Sequence, residues 1–224
     1  DTDFTVDQSG VVTLGSGGTG GNMRIYLSDA FSKLNITGGV TLGGGSSISV
    51  SGNSAGVATI SSVISDGGGG YALAINDDAG GWAATNSTVR LTGANTFTGN
   101  VSLGGGALEF DTVTDAGGAA SSLGQGTAIT STANGVLRFI GTTAQSTNRP
   151  ITAGGALTLS ANGDEAADTI TYNGAISAGT NAFSLTGLSG REGIINGGIS
   201  QTGDSADATV DGGTWTHTTG TSRV

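Results

Sequence analysis

The pair Asp77-Asp78, in "AINDDAGG", is the strongest enzymatic signal in the chain. Two carboxylates held at a defined separation can work as acid and base on a glycosidic bond. Such chemistry on an extended β-structure also needs companions: a Gly-His-Gly, an Arg-x-Lys, or a basic residue beside bound calcium. The first two are absent, and Lys33 is the sole Lys. The alternative is that Asn76-Asp77-Asp78 forms a solvated turn, which suits Asn and Asp. His217, in "TWTHTTG", is the single His, so any Ser-His-Asp relay would have to run through it. With no Cys and one His, a multi-ligand metal site built from His and Cys is excluded. No catalytic, cofactor-binding or metal-ligating residue is therefore expected.

Weaker signals point the same way. "NGDEAAD" (162–168) and "DSAD" (204–207) offer carboxylates but no loop with the six to eight oxygen ligands that calcium takes. Loosely bound calcium is the most that is expected. The Gly runs at 43–45, 67–70 and 104–106 lack the Lys and the following helix of a phosphate loop, so they read as corners. Trp82 and Trp215 are candidate sugar-stacking platforms, against the commoner role of covering a fold's end. "TWTHTT" is similar to one row of an ice-binding Thr array, but a single row makes no flat surface. Asn35 and Asn86 head glycosylation sequons, a pattern that recurs by chance.

The elements that would position these residues follow from composition. Of 224 residues, 44 are Gly and one is Pro, and only 11% are charged. Low charge with moderate hydrophobicity opposes disorder. Seventeen acids face seven bases, six of them Arg, for a net charge of −10. That balance disfavours nucleic acid as a partner. No apolar run is long enough for a membrane-spanning helix. The opening "DTDFTVDQSG" has neither a basic nor an apolar leader region, so a processed export product or an internal segment is expected.

Strand signals dominate. "VVTL" (11–14), "KLNIT" (33–37), "SISVS" (47–51), "YALAI" (71–75), "STVRLT" (87–92), "ALEF" (107–110), "VLRFI" (136–140), "ALTLS" (156–160), "TITY" (169–172) and "AFSLT" (182–186) alternate with period two between turn residues. "IYLSDAFSKLNI" (25–36) is the best helix candidate.

Repeats choose among the all-β folds. "KLNITGGVTLGGGSSISV" (33–50) aligns with "TVRLTGANTFTGNVSLGGGALEF" (88–110), Leu34 matching Val89, Leu42 matching Leu103 and Val50 matching Phe110. In this alignment "ANTFTGN" replaces Gly39 as an expanded corner, with Phe97 tucked against the side and Asn95 bonding its own turn. "ITAGGALTLSANG" (151–163) is a third copy. "YNGAIS" (172–177) and "INGGIS" (195–200) repeat at an offset of 23 residues, and "ISSVISDGGGGYALAI" (60–75) aligns with "ITYNGAISAGTNAFSL" (170–185). A period near 23 signals a β-solenoid, here one domain over residues 1–224 with about ten coils.

With these residues in view, "VRLTGANTFTGNVSLGGGALEF" resembles the autotransporter-associated β-strand repeat, also called the passenger-associated transport repeat. Leu91, Thr92, Gly93, Asn95, Thr96, Phe97, Thr98 and Gly99 match its pattern in order, and Gly106 and Leu108 match its close. "SLGQGTAI" (122–129) resembles the segment that follows the motif. The resemblance implies a right-handed parallel β-helix from a secreted or surface-anchored bacterial protein. The chain holds one full copy of the motif, and its last residues, "TGTSRV", lack the aromatic girdles of a membrane barrel, so a passenger segment or a smaller extracellular relative is expected. The expected role is a cell-surface rod, fibre or coat that self-associates into filaments or arrays. An adhesive surface for polysaccharide or a cell-surface ligand is the alternative, and a β-helical polysaccharide hydrolase or lyase a lesser one.

Overall fold

In a strand, alternating Val, Ile and Leu with Thr and Ser puts every apolar side chain on one face. A short strand of this kind has too little area to be stable alone, so each must lie on a copy of itself. The computed structural model describes residues 10–27, 33–51, 56–77, 87–163, 168–202 and 208–218 and shows the resulting stack. The first coil runs β1 (Val12–Gly18), β2 (Asn22–Tyr26) and β3 (Lys33–Ile36). The second runs β4 (Val40–Gly44), β5 (Ser46–Ser51) and β6 (Val57–Ile60); the third runs β7 (Ile64–Ser65), β8 (Leu73–Ile75) and β9 (Thr88–Leu91). The fourth and fifth coils have two strands each: β10 (Val101–Leu103) with β11 (Gly106–Phe110), then β12 (Ile129–Ser131) with β13 (Gly135–Phe139). Three-stranded coils then resume. They are β14 (Gln145–Thr147), β15 (Ile151–Ala153) and β16 (Leu157–Ala161), then β17 (Ile170–Tyr172), β18 (Ile176–Gly179) and β19 (Phe183–Gly187). The last are β20 (Glu192–Ile195), β21 (Ile199–Gln201) and β22 (Ala208–Asp211), followed by β23 (Thr214–His217).

Equivalent strands pair in parallel, giving three faces. The second face is β2-β5-β8-β10-β12-β15-β18-β21, and the third is β3-β6-β9-β11-β13-β16-β19-β22, eight strands each. The first face is split into β1-β4-β7 and β14-β17-β20-β23. The fold is a parallel β-solenoid, and among the described residues there is no helix. Ile25 and Tyr26 of the helix candidate end β2 and residues 33–36 form β3, while 28–32 lie outside the described residues.

The core is a set of ladders. Leu34, Ala58, Val89, Leu108, Leu137, Leu159 and Leu185 stack in register on the third face. Ile36, Ile60, Leu91, Phe110 and Phe139 run beside them. The Phe110 and Phe139 rings meet at 5.7 Å between centroids. These inward residues are buried almost throughout.

Two sequence expectations need correction. The coil is longer than 23 residues, and the coils are correspondingly fewer. Along the second face the register runs Asn22, Ser47, Ala74, Ser102, Thr130, Thr152, Ser177, Ser200, in steps of 25, 27, 28, 28, 22, 25 and 23 residues. The solenoid therefore has about seven turns rather than ten, and at about 4.8 Å per step it rises roughly 34 Å. The offset of 23 belongs to the last step alone, where Tyr172 pairs with Ile195 and Ile176 with Ile199.

The long repeat alignment is right in its first half and one face out in its second. Leu34 and Val89 share a ladder. Leu42, however, lies on the first face beside Leu14, whereas Leu103 lies on the second beside Ile75 and so shares the ladder of Ile48. The alignment of 60–75 with 170–185 has the same slip: Leu73 is on the second face and Phe183 on the third. Residues 151–163 follow the second copy from Val101 onward, Ile151 standing on Ile129 and Ile129 on Val101. The two Gly triplets thus turn different corners, Gly43–Gly45 leading into the second face and Gly104–Gly106 into the third.

Candidate functional site

The irregular part of the first face carries most of the buried polar chemistry. In coils four and five no strand fills this face; residues 92–100 and 111–128 do. "ANTFTGN" is therefore no enlarged corner. It stands where β4 stands in the second coil, and the Thr96 amide donates to the Ile64 carbonyl of β7 at 2.9 Å.

Asn95 joins the halves of the face. It is fully buried. Its Oδ1 accepts the Ile64 amide at 2.8 Å, and its Nδ2 donates to the Ser122 carbonyl at 2.7 Å. Its main chain forms an antiparallel bridge with Ser121. The side chain thus serves the coils before and after its own rather than its own turn. An unpaired buried amide or carbonyl costs about 1–3 kcal/mol, so these bonds matter twice over. Phe97 is buried in the core against Gly124, and its carbonyl accepts the Gln125 amide at 2.8 Å. Gly99 packs so closely that a Cβ there would sit 2.2 Å from the Tyr71 carbonyl carbon.

Two ionised groups complete the splice. Asp66, also buried, accepts the Thr98 amide and hydroxyl at 2.9 and 2.8 Å, the Gly68 amide at 2.9 Å and the Tyr71 amide at 3.1 Å. Burial pushes its carboxyl up, but these bonds together outweigh it and hold the group below the usual carboxylate range. Arg149 is 1% exposed. Its Nη1 donates to the Leu123 carbonyl at 2.8 Å, and its Nη2 to the Gly124 carbonyl at 2.7 Å and the Thr114 hydroxyl at 3.3 Å. Burial lowers its pKa and nearby Asp115 opposes this, yet a guanidinium keeps its charge at any physiological pH. Residues 113–116 also bond β14 and its flank, through Thr147 Oγ1 to Thr114 O at 2.9 Å and the Asn148 amide to Asp115 at 2.8 Å.

Among the described residues, those singled out for chemistry are not brought together. Asp77 is exposed, two residues beyond the end of β8. Asn76 is no solvated turn residue. It is fully buried with φ +52°, Oδ1 accepting the Val50 amide at 2.9 Å and Nδ2 donating to the Gly105 carbonyl at 3.2 Å. Asp78, Trp82 and Asn86 lie outside the described residues, as do 164–167 and 203–207 of the two acidic stretches. Among the described residues no three His, Cys, Asp or Glu side chains cluster as a metal site. His217 is half-buried on β23, its Nε2 3.3 Å from the Gly197 carbonyl. Trp215 faces inward above Gly193, stacks on Tyr172 at 6.5 Å and 12°, and donates from Nε1 to Thr186 O at 2.9 Å. It is a packed ring rather than an open platform.

Sequence reasoning passed over three features. Arg149, beside the only Pro, is one of seven basic residues in a chain poor in charge, and that scarcity was the available signal. Residues 111–128 form a long strandless stretch rich in Gly, Ala and Ser. Gly52-Asn53-Ser54-Ala55-Gly56 spells G-x-S-x-G. A nucleophile elbow needs that pattern between a strand and a helix. Here it stands between β5 and β6, and 52–55 lie outside the described residues.

Comparison of the chain with protein-family models, with curated proteins and with solved structures finds no match in any of the three.

Proposed function

We propose that this chain is a structural segment of a bacterial cell-surface or secreted rod, without catalytic activity. The observation that carries the proposal is the continuous parallel pairing of the second and third faces through eight strands each. A stack of this kind lengthens coil by coil at constant cross-section, each coil touching only its neighbours. It suits a spacer or fibre. Strand edges at the ends of such a stack pair with whatever strand meets them, so head-to-tail association into filaments belongs to the same reading. The resemblance of 88–110 to the autotransporter repeat supports the extracellular setting. The polar side chains of the irregular face are spent on architecture: Asn95, Asp66 and Arg149 each satisfy main-chain groups of neighbouring coils.

Negative-stain microscopy of the purified chain tests this directly. Narrow rods or filaments of uniform width are the expected result, with no reducing sugar released from polygalacturonate or other glycans. Globular particles would sink the fibre reading, and sugar release abolished by Asp77→Asn would replace it with a hydrolase. Adhesion to polysaccharide is the second reading, and one feature of the outer surface favours it.

A further inference from the structure

The third face carries a charged stack on its outer side. Arg90, Glu109 and Arg138 occupy one outward ladder on β9, β11 and β13. Arg90 Nε lies 2.7 Å from Glu109 Oε2, and Arg138 Nη1 lies 2.8 Å from Glu109 Oε1. One carboxylate therefore serves two guanidiniums. The side chain of Glu109 is 6% exposed, while those of Arg90 and Arg138 are 39% and 31% exposed. A guanidinium has five N–H donors, and each Arg gives Glu109 only one. The stack keeps one net positive charge in a chain whose total is −10. Glu109, buried and bonded from both sides, fixes the two guanidiniums so that their remaining Nη donors need no reordering to bind.

The neighbours on the same ladder are Thr59 on one side and Ser160 and Thr186 on the other. Ser160 is buried and bonded to Asn162, so the accessible line is the cationic centre with half-buried Thr59 and Thr186 further along it. Its repeat of about 4.8 Å per coil is comparable to the length of one sugar unit in an extended polysaccharide.

We propose that this strip binds an acidic polysaccharide, a carboxylate or sulfate group being held by the free Nη donors of Arg90 and Arg138. Guanidinium forks suit planar and tetrahedral oxyanions in this bidentate way. The inference rests on the cell-surface reading and supplies its ligand class.

The test is calorimetric titration of the whole chain, at low salt, with an oligogalacturonate (carboxylates), a heparin-derived hexasaccharide (sulfates) and neutral cellohexaose. Saturable binding of at least one acidic oligosaccharide and none of cellohexaose is expected. The two acidic arms identify the group recognised. Affinity should fall at least tenfold in Arg90→Gln and in Arg138→Gln, and partly recover in Arg90→Lys, which keeps the charge without the fork. Thermal melts establish that each variant is folded. Absence of binding by the folded wild-type chain, undiminished binding by an Arg90→Gln/Arg138→Gln double variant, or equal affinity for an oligothymidylate would overturn the proposal. Rods in micrographs without acidic-sugar binding would remove this inference and leave the proposed function standing.

Discussion

The second face and the first face of this solenoid are built from the same chain by opposite means. The second passes eight strands in continuous parallel pairing, with one register shift between Ser177 and Gly179. Its inward residues, among them Leu73, Val101, Ile129, Ile151 and Ile176, are interchangeable in kind, each resting on another of its type. The first face breaks after β7 and resumes at β14, and the gap is closed by particular side chains. A ladder of aliphatic residues is redundant, since trimming one rung leaves the others paired. A splice held by one amide, one carboxylate and one guanidinium is not, because each of these side chains holds more than one main-chain group at once.

That difference orders the expected effects of substitution. Phe97→Ala should be the most damaging. It empties a fully buried ring site at the splice, and core Phe-to-Ala changes cost about 3–5 kcal/mol. Chemical denaturation measures the loss. Asn95→Ala comes next, at about 2–4 kcal/mol, because it leaves the Ile64 amide and the Ser122 carbonyl buried and unpaired. Asn95→Asp should rescue only the first of these bonds, since a carboxylate accepts but does not donate, and the denaturation midpoint should fall between those of the wild type and Asn95→Ala.

Asp66→Asn should cost about 1–3 kcal/mol near neutral pH, because the amide nitrogen introduced cannot accept the N–H groups now bonded to Oδ1 or Oδ2. The cost depends on pH with a definite sign. The folded carboxyl titrates below its unfolded value, so its contribution is fully present above the ordinary carboxylate pKa of about 4 and disappears as pH falls through the lower folded value. Melting temperatures of wild type and Asp66→Asn should therefore converge below about pH 4. Smallest of all should be Ile75→Val on the second face, about 0.5–1.5 kcal/mol, in keeping with a redundant ladder. A loss there as large as that of Asn95→Ala would erase the contrast between the two faces.

The same contrast explains what could be seen in the sequence. Every one of the ten alternating segments overlaps a strand, since period-two patterning is local and each strand carries its own signal. The coil length was misjudged because "YNGAIS" and "INGGIS" sit on one of the shorter steps. The repeat alignment slipped by a face because "LGGG" follows both Leu42 and Leu103, so that similar turn chemistry serves two corners. Phe97, expected against the side of the solenoid, instead stands in the core, because residues 92–100 take the place of a strand on the first face. The partners of Asn95 were not legible, since its side chain reaches residues 31 before and 27 after it in sequence, and no local pattern records such a contact. Arg149 was hidden for the same reason, its carbonyl partners lying 26 and 25 residues upstream.

The central claim is that Asn95 itself carries the first face across its gap. Amide hydrogen exchange at Ile64 tests it most directly, because that N–H is bonded to the Asn95 side chain rather than to a strand. In Asn95→Ala the account predicts exchange at Ile64 at least tenfold faster than in the wild type, while the Leu73 and Asn76 amides, bonded to the main chain at Asn100 and Ile48, keep their protection. Unchanged protection at Ile64, or an equal loss at all three amides, would contradict it.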